Sequence, residues 1–113
     1  MNRHIEQSGE FHKYAGPREM YGFVILKAEP SDQHTYKSSV KWPPDMPENI
    51  YNESVFNGIK RAMEEAKIIT GEFELKNISL SDNADANVPI AFEQAAYEAA
   101  KKIINKWGSN PQE

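Results

Sequence analysis

The chain contains few side chains whose type and spacing could support catalysis. His4, His12 and His34 are scattered over polar segments, and neither an HExxH motif nor a helical His–carboxylate pair accompanies them. Glu64 and Glu65 fall on the polar face of a predicted helix, where carboxylates are solvated charges rather than an acid–base pair. The sequence therefore predicts surface histidines and a protein that is not an enzyme.

Metal and nucleotide sites are disfavoured by the same kind of reasoning. Asp82 and Asp85 lie in a polar segment and supply too few oxygen ligands to fill the shell of a bound cation. None of the six glycines belongs to a GxxxxGK[ST] phosphate-binding loop, and the chain has no cysteine for a disulfide or a thiolate site. We therefore expect no cofactor, no metal and no bound nucleotide.

Charge is unevenly distributed along the chain, whose net charge is −4. Residues 1–44 carry six Lys/Arg against five Asp/Glu, whereas residues 45–113 carry seven against twelve. A broad nucleic-acid surface normally shows an excess of Lys and Arg, so any contact with RNA is expected over a small patch. The sequence lacks an apolar run near the ~20 residues of a membrane span and a signal-peptide core, so we expect a cytoplasmic protein outside the membrane.

Two amphipathic helices are predicted, over residues 54–70 and 89–107. In the first, apolar side chains recur at steps of three and four: Val55, Ile59, Ala62, Met63, Ala66 and Ile69. We expect Asn49 or Asn52 to cap its start and Gly71 to close its end in the left-handed conformation. The stripe of the second helix consists of Phe92, Ala95, Ala96, Ala99, Ile103 and Trp107.

Alternating apolar residues predict strands over residues 11–14, 21–29, 36–42 and 73–80. Residues 21–29 are apolar on both faces, which is typical of a central strand, and they are expected to form a hairpin with residues 36–42. A change of phase predicts a bulge near Lys76 and Asn77. The resulting order is β-β-β-α-β-α, an α+β domain over residues 9–107 with a flexible N-terminus, residues 1–8, and a tail, residues 108–113.

Three segments resemble domain IV of the translation elongation factor G and elongation factor 2 family. Residues 9–30 are similar to the family segment that ends in GGRGQYG and continues through a strand to Glu-Pro, with matches at Lys13, Gly16, Arg18, Tyr21, Gly22, Glu29 and Pro30. Residues 58–71 resemble the family helix GIxxALEEGxLxG, and residues 91–99 resemble its alanine-rich closing helix. The resemblance covers residues 9–106 in unbroken order.

The resemblance implies a fold similar to the second domain of ribosomal protein S5. That fold has a left-handed βαβ crossover and two helices packed on one face of a four-stranded sheet. In the family, two loops at the tip of the domain enter the ribosomal decoding centre and contact the tRNA–mRNA duplex. Here the tip loops would be residues 13–20 and 81–88, and their members include Gly16, Asp82, Asn83, Ala86 and Asn87. A histidine of the family aligns with Ala86.

Two hypotheses follow from these observations. In the first, the chain is a non-catalytic domain IV-like protein that binds the ribosome, rRNA or tRNA through its tip loops, with phosphates contacted by Lys13, Arg18, Lys27, Lys37 and Lys41. In the alternative, the same scaffold is a protein–protein interaction module that has lost RNA binding and contacts a partner or itself. Retention of Lys13, Gly16 and Arg18 favours the first hypothesis, whereas the net charge favours the second. The sequence leaves both open.

Overall fold

The computed structural model describes residues 4–108, which form a four-stranded sheet and two long helices. Strands β1 (Ile5–Ala15), β2 (Arg18–Glu29) and β3 (His34–Ser38) precede helix α1 (Glu48–Ala66). Strand β4 (Gly71–Ser79), a 3₁₀ turn (Ala84–Ala86) and helix α2 (Pro89–Gly108) follow. The predicted order β-β-β-α-β-α and the α+β class are confirmed.

The strand order across the sheet is β1-β2-β4-β3. β2 is central, as predicted, and pairs antiparallel with both β1 and β4. The predicted hairpin between residues 21–29 and 36–42 is wrong, because β3 pairs parallel with β4 instead. A parallel pair needs a long crossover connection, and α1 supplies it between β3 and β4.

The predicted bulge lies in β4. Ile25 pairs with Asn77, but its neighbour Leu26 pairs with Leu75, so Lys76 is the additional residue. This extra residue reverses the side-chain alternation after Leu75. The expectation drawn from the change of apolar phase is confirmed.

Helix α1 begins and ends earlier than the sequence indicated. Its N-cap is Pro47, without a side-chain cap, and Asn52 lies inside the helix, where Oδ1 accepts hydrogen bonds from the Tyr36 hydroxyl at 3.3 Å and from the Trp42 indole at 3.0 Å. Lys67, at φ 61°, takes the left-handed position that had been predicted for Gly71. The asparagine and glycine caps predicted for this helix are therefore wrong.

Both helices cover one face of the sheet and share one core with it, as predicted. The largest fully buried side chains come from β2, β4, α1 and α2: Phe73, Phe92, Leu26, Ile59, Leu75, Ile103, Val24 and Val55. Small residues bring α2 close to its neighbours, since a Cβ at Gly22 would lie 2.6 Å from the carbonyl carbon of Ala91. Ile69, predicted in the α1 stripe, lies beyond the end of the helix and is 84% exposed.

The domain begins earlier than predicted. β1 starts at Ile5 and pairs with β2 from there, so residues 5–8 belong to the sheet and not to a flexible N-terminus. Residues 1–3 of that predicted segment and most of the predicted tail, residues 109–113, lie outside the described residues. Within residues 4–108, the helices are too short or too polar to cross a membrane.

Candidate nucleic-acid interface

The hairpin of β1 and β2 projects beyond the rest of the sheet. The two strands pair continuously from Ile5 opposite Ala28 to Ala15 opposite Arg18. β4 accompanies β2 only as far as Phe23, so the last part of the hairpin is a two-stranded ribbon. Five residues of β2 beyond Phe23 extend it by roughly 17 Å, at about 3.3 Å per residue. Gly16, at φ 64°, allows the tight turn that joins the strands.

One face of this ribbon carries the two cations predicted at the tip. Gly9 and Gly22 face α2, and strict alternation along β1 and β2 places Lys13 and Arg18 on that same side. Lys13 is opposite Met20 and Arg18 is opposite Ala15, so the cations are diagonal neighbours whose Cα atoms are about 7–8 Å apart. Both side chains are exposed, and neither pairs with a carboxylate among residues 4–108.

The other face of the ribbon carries a hydrogen-bonded cluster centred on Glu19. Its carboxylate lies 2.6 Å from Nε2 of His12 and accepts a long hydrogen bond of 3.4 Å from the Tyr14 hydroxyl. The pKa of Glu19 is lowered, chiefly by the hydrogen bond with His12 and further by Asn83 and Tyr14. Glu19 is therefore an ionised carboxylate whose oxygens are already hydrogen-bonded within the protein.

The second predicted tip loop, residues 81–88, reaches the hairpin through this cluster. Nδ2 of Asn83 donates to Oε1 of Glu19 at 3.3 Å. Asn83 also shapes its own loop, because its Oδ1 accepts from the amide of Asp85 at 3.2 Å. The contact between Asn83 and Glu19 brings the two loops together.

Two residues predicted at the tip of that loop are buried beneath it. Ala86 is fully buried, and Asn87 is 8% exposed. Oδ1 of Asn87 accepts from the Ser81 amide at 2.8 Å, its Nδ2 donates to the Ser81 carbonyl at 3.2 Å, and its own carbonyl accepts from the Tyr51 hydroxyl at 2.5 Å. Asn87 thus fixes the base of the loop, while the other two predicted members, Asp82 and Asn83, are exposed.

The remaining predicted cations do not join the tip. Lys27 and Lys37 flank Glu74 on the outer face of the sheet, the face away from the helices. Lys27 lies nine positions after Arg18 in β2, which is about 30 Å along an extended strand. Lys41 is exposed in the connection after β3. The five predicted phosphate ligands therefore form no continuous patch.

The local charges also give Lys27 and Lys37 a role within the sheet. The pKa of Glu74 is lowered, first by a hydrogen bond from the Ser39 hydroxyl and then by the nearby positive charges of Lys76, Lys37 and Lys27. Cross-strand pairs of opposite charge stabilise a sheet modestly. These two lysines are consequently matched to a carboxylate, unlike the cations of the hairpin tip.

The cluster around Glu19 was not predicted from the sequence. His12 was expected to be a scattered surface histidine, although it contacts the rings of Tyr14 and Tyr21, with centroids 5.1 and 5.3 Å away. A turn placed at residues 16–17 would have put His12 opposite Tyr21 and Tyr14 opposite Glu19. Within residues 4–108, no group of three or more potential ligands is arranged to hold a metal ion.

Comparison with known proteins identifies a fold and no family. No protein-family model matches the chain, and no protein of curated function matches it significantly. The crystal structure of ttk003000868 from Thermus thermophilus contains a similar fold, with a TM-score of 0.73 at 24% sequence identity. The match covers 91% of this chain but 16% of that chain, so the similarity concerns one part of a longer protein. At this identity it establishes the α+β fold alone.

Proposed function

We propose that this chain is an elongation factor G domain IV-like protein that binds structured RNA, such as that of the ribosome, without catalysing a reaction. The proposal rests on the observation that the β1–β2 hairpin and the loop of residues 81–88 are in contact. The hairpin projects from the sheet with Lys13 and Arg18 on one face, and the loop of residues 81–88 is fastened to it through Asn83 and Glu19.

The chemistry of the tip suits phosphate contacts. Lys13 and Arg18 are exposed and have no carboxylate partner among the described residues, so their charges are available to a ligand. Glu19 projects from the opposite face of the ribbon, where His12 offsets part of its charge when the imidazole is protonated. Arginine presents a planar set of donors to phosphate oxygens, and lysine adds a second point charge. The small number of cations implies weak binding that depends strongly on salt.

Two double variants, each of which removes two positive charges, test this proposal. The double variant Lys13→Gln/Arg18→Gln removes two charges at the tip, and Lys27→Gln/Lys37→Gln removes two charges from the far part of the sheet as a matched control. Binding to ribosomes or a fluorescent RNA hairpin would be measured by co-sedimentation and anisotropy between about 50 and 200 mM salt, a range in which phosphate contacts weaken markedly.

The tip variant should lose nearly two units of slope in a log–log plot of affinity against salt, because each phosphate contact contributes about one unit. The control should retain most of the wild-type slope. Failure of the wild-type protein to bind RNA at about 50 mM salt would overturn the proposal. Equal losses in the two double variants would contradict the assignment of the tip as the binding surface.

A protein-interaction role is the second candidate, and one surface favours it. His34, Tyr36, Asn52, Glu53 and Phe56 line an open groove of about 420 Å³ between β3 and α1. Apolar grooves at the edge of a sheet are common sites for peptide binding. If this role is correct, Phe56→Ala should abolish capture of a partner protein, and a partner that binds the variant equally well would count against it.

A further inference from the structure

The outer face of the hairpin carries aromatic side chains that contribute nothing to the core. His12 lies between Tyr14 and Tyr21, with the His12 ring tilted at 46° to Tyr14 and nearly perpendicular to Tyr21. The Tyr14 side chain is 66% exposed even though its hydroxyl reaches Glu19. An exposed tyrosine held by two neighbours loses less side-chain freedom on binding than a mobile one would.

The same hairpin therefore presents two chemically different faces. Lys13 and Arg18 lie on the side of the helices, whereas Tyr14 projects from the opposite side, one residue from Lys13. Glu19 shares the face of Tyr14, so its negative charge is separated from the cations by the thickness of the ribbon. A ligand with phosphates for one face and an aromatic group for the other would use both.

We propose that the hairpin binds an unpaired RNA nucleotide, with its base stacked on Tyr14 and the adjacent phosphates held by Lys13 and Arg18. This inference rests on the proposed RNA binding and specifies its substrate as a single strand or loop rather than a continuous duplex. In a duplex both faces of each internal base are covered by its neighbours, so the ring of Tyr14 would have nothing to stack on. An unpaired base offers that face.

The charges around Tyr14 suit a neutral base on this face, while the phosphates are expected on the opposite face, which carries Lys13 and Arg18. The ring of Tyr14 lies against His12 and Glu19, and Glu10 is near Tyr21 further along the ribbon. The oxygens of Glu19 already accept hydrogen bonds from three side chains of the protein, so its charge is partly offset where the base would stack. Stacking on an aromatic ring tolerates any base, so little sequence preference is expected.

Three variants and two probes test the inference. The probes are a fluorescent 12-nucleotide single-stranded RNA of mixed sequence and a blunt RNA duplex of the same length, at about 50 mM salt, where phosphate contacts are strong. Tyr14→Leu removes the ring, Tyr14→Phe keeps the ring without the hydroxyl, and Phe56→Leu removes a ring from α1 as the matched control. Circular dichroism would verify that each variant is folded.

Tyr14→Leu should weaken single-strand binding by at least about fivefold, the lower limit for loss of one base–aromatic stack. Tyr14→Phe and Phe56→Leu should bind like the wild type, and the effect of Tyr14→Leu on the duplex should be less than about twofold. Unchanged single-strand affinity in Tyr14→Leu, or tighter wild-type binding to the duplex than to the single strand, would overturn the inference and leave the proposed RNA binding intact. Absence of wild-type binding to either probe would overturn both.

Discussion

Replacing Gly9 by alanine tests the closest contact between the sheet and α2. A Cβ at position 9 would lie 2.0 Å from the Ala95 carbonyl oxygen and 2.7 Å from the Ala99 amide nitrogen. Contacts of a Cβ below 3.0 Å essentially do not occur, so strand and helix must separate by about 1 Å. Both neighbours are backbone atoms, which cannot rotate away as a side chain could. Overpacking costs about 1–3 kcal/mol and more where backbone must move, so we expect a loss of about 3 kcal/mol or more.

Urea denaturation followed by circular dichroism would measure this loss, with Gly16→Ala as the matched control. Gly16 has no neighbour within 4 Å of an added Cβ. Alanine at this position therefore costs only the energy of holding a left-handed backbone conformation, about 1–2 kcal/mol. The melting temperature should fall by roughly 4–8 °C for each kcal/mol lost. A Gly9→Ala variant that is less destabilised than Gly16→Ala would refute the close packing of α2 on β1.

Three further outcomes are expected. Ile59→Ala should lose about 2–4 kcal/mol in chemical denaturation because Ile59 is fully buried, whereas Ile69→Ala should change stability by less than about 0.5 kcal/mol. Asn87→Ala should lose about 1–3 kcal/mol, since it leaves partly buried backbone groups of Ser81 without their partner, and hydrogen exchange should increase in the loop. The pKa of Glu19, measured by NMR, should rise in His12→Ala, and any contribution of Glu19 to stability should be lost as the pH falls through its lowered pKa.

The sequence predicted the structure correctly where the periodicity of apolar side chains matched the pattern of burial. The apolar residues of β2 on both faces indicated a central strand, and the shift between Leu75 and Ile78 located the bulge. The position of both helices on one face was also predicted. The local pattern gave the wrong partner for β3, because nearness in sequence favoured a hairpin between β2 and β3, whereas the family resemblance implied the βαβ crossover through α1. The longer β4 takes the place beside β2, which is a property of the assembled sheet rather than of a local segment.

Predictions from local sequence patterns were also wrong where a residue type can occupy more than one structural position. Asn52 has the chemistry of a helix cap, but in the structure it accepts hydrogen bonds from two aromatic side chains. Ile69 continues the spacing of the α1 stripe although the helix ends at Ala66. Asn87 has the polarity expected at a loop tip, yet its two hydrogen bonds to Ser81 turn it inward.

The position of α2 in the chain constrains how the protein can fold during synthesis. This helix packs against β1, β2 and α1, and it contributes Phe92 and Ile103 to the core. All four strands and α1 are translated before it, so a nascent chain that ends near residue 88 has an apolar sheet face that α1 alone covers only in part. The cooperative transition to the native state must therefore wait for the alanine-rich helix to leave the translating ribosome, and until then the exposed strands are a target for chaperones.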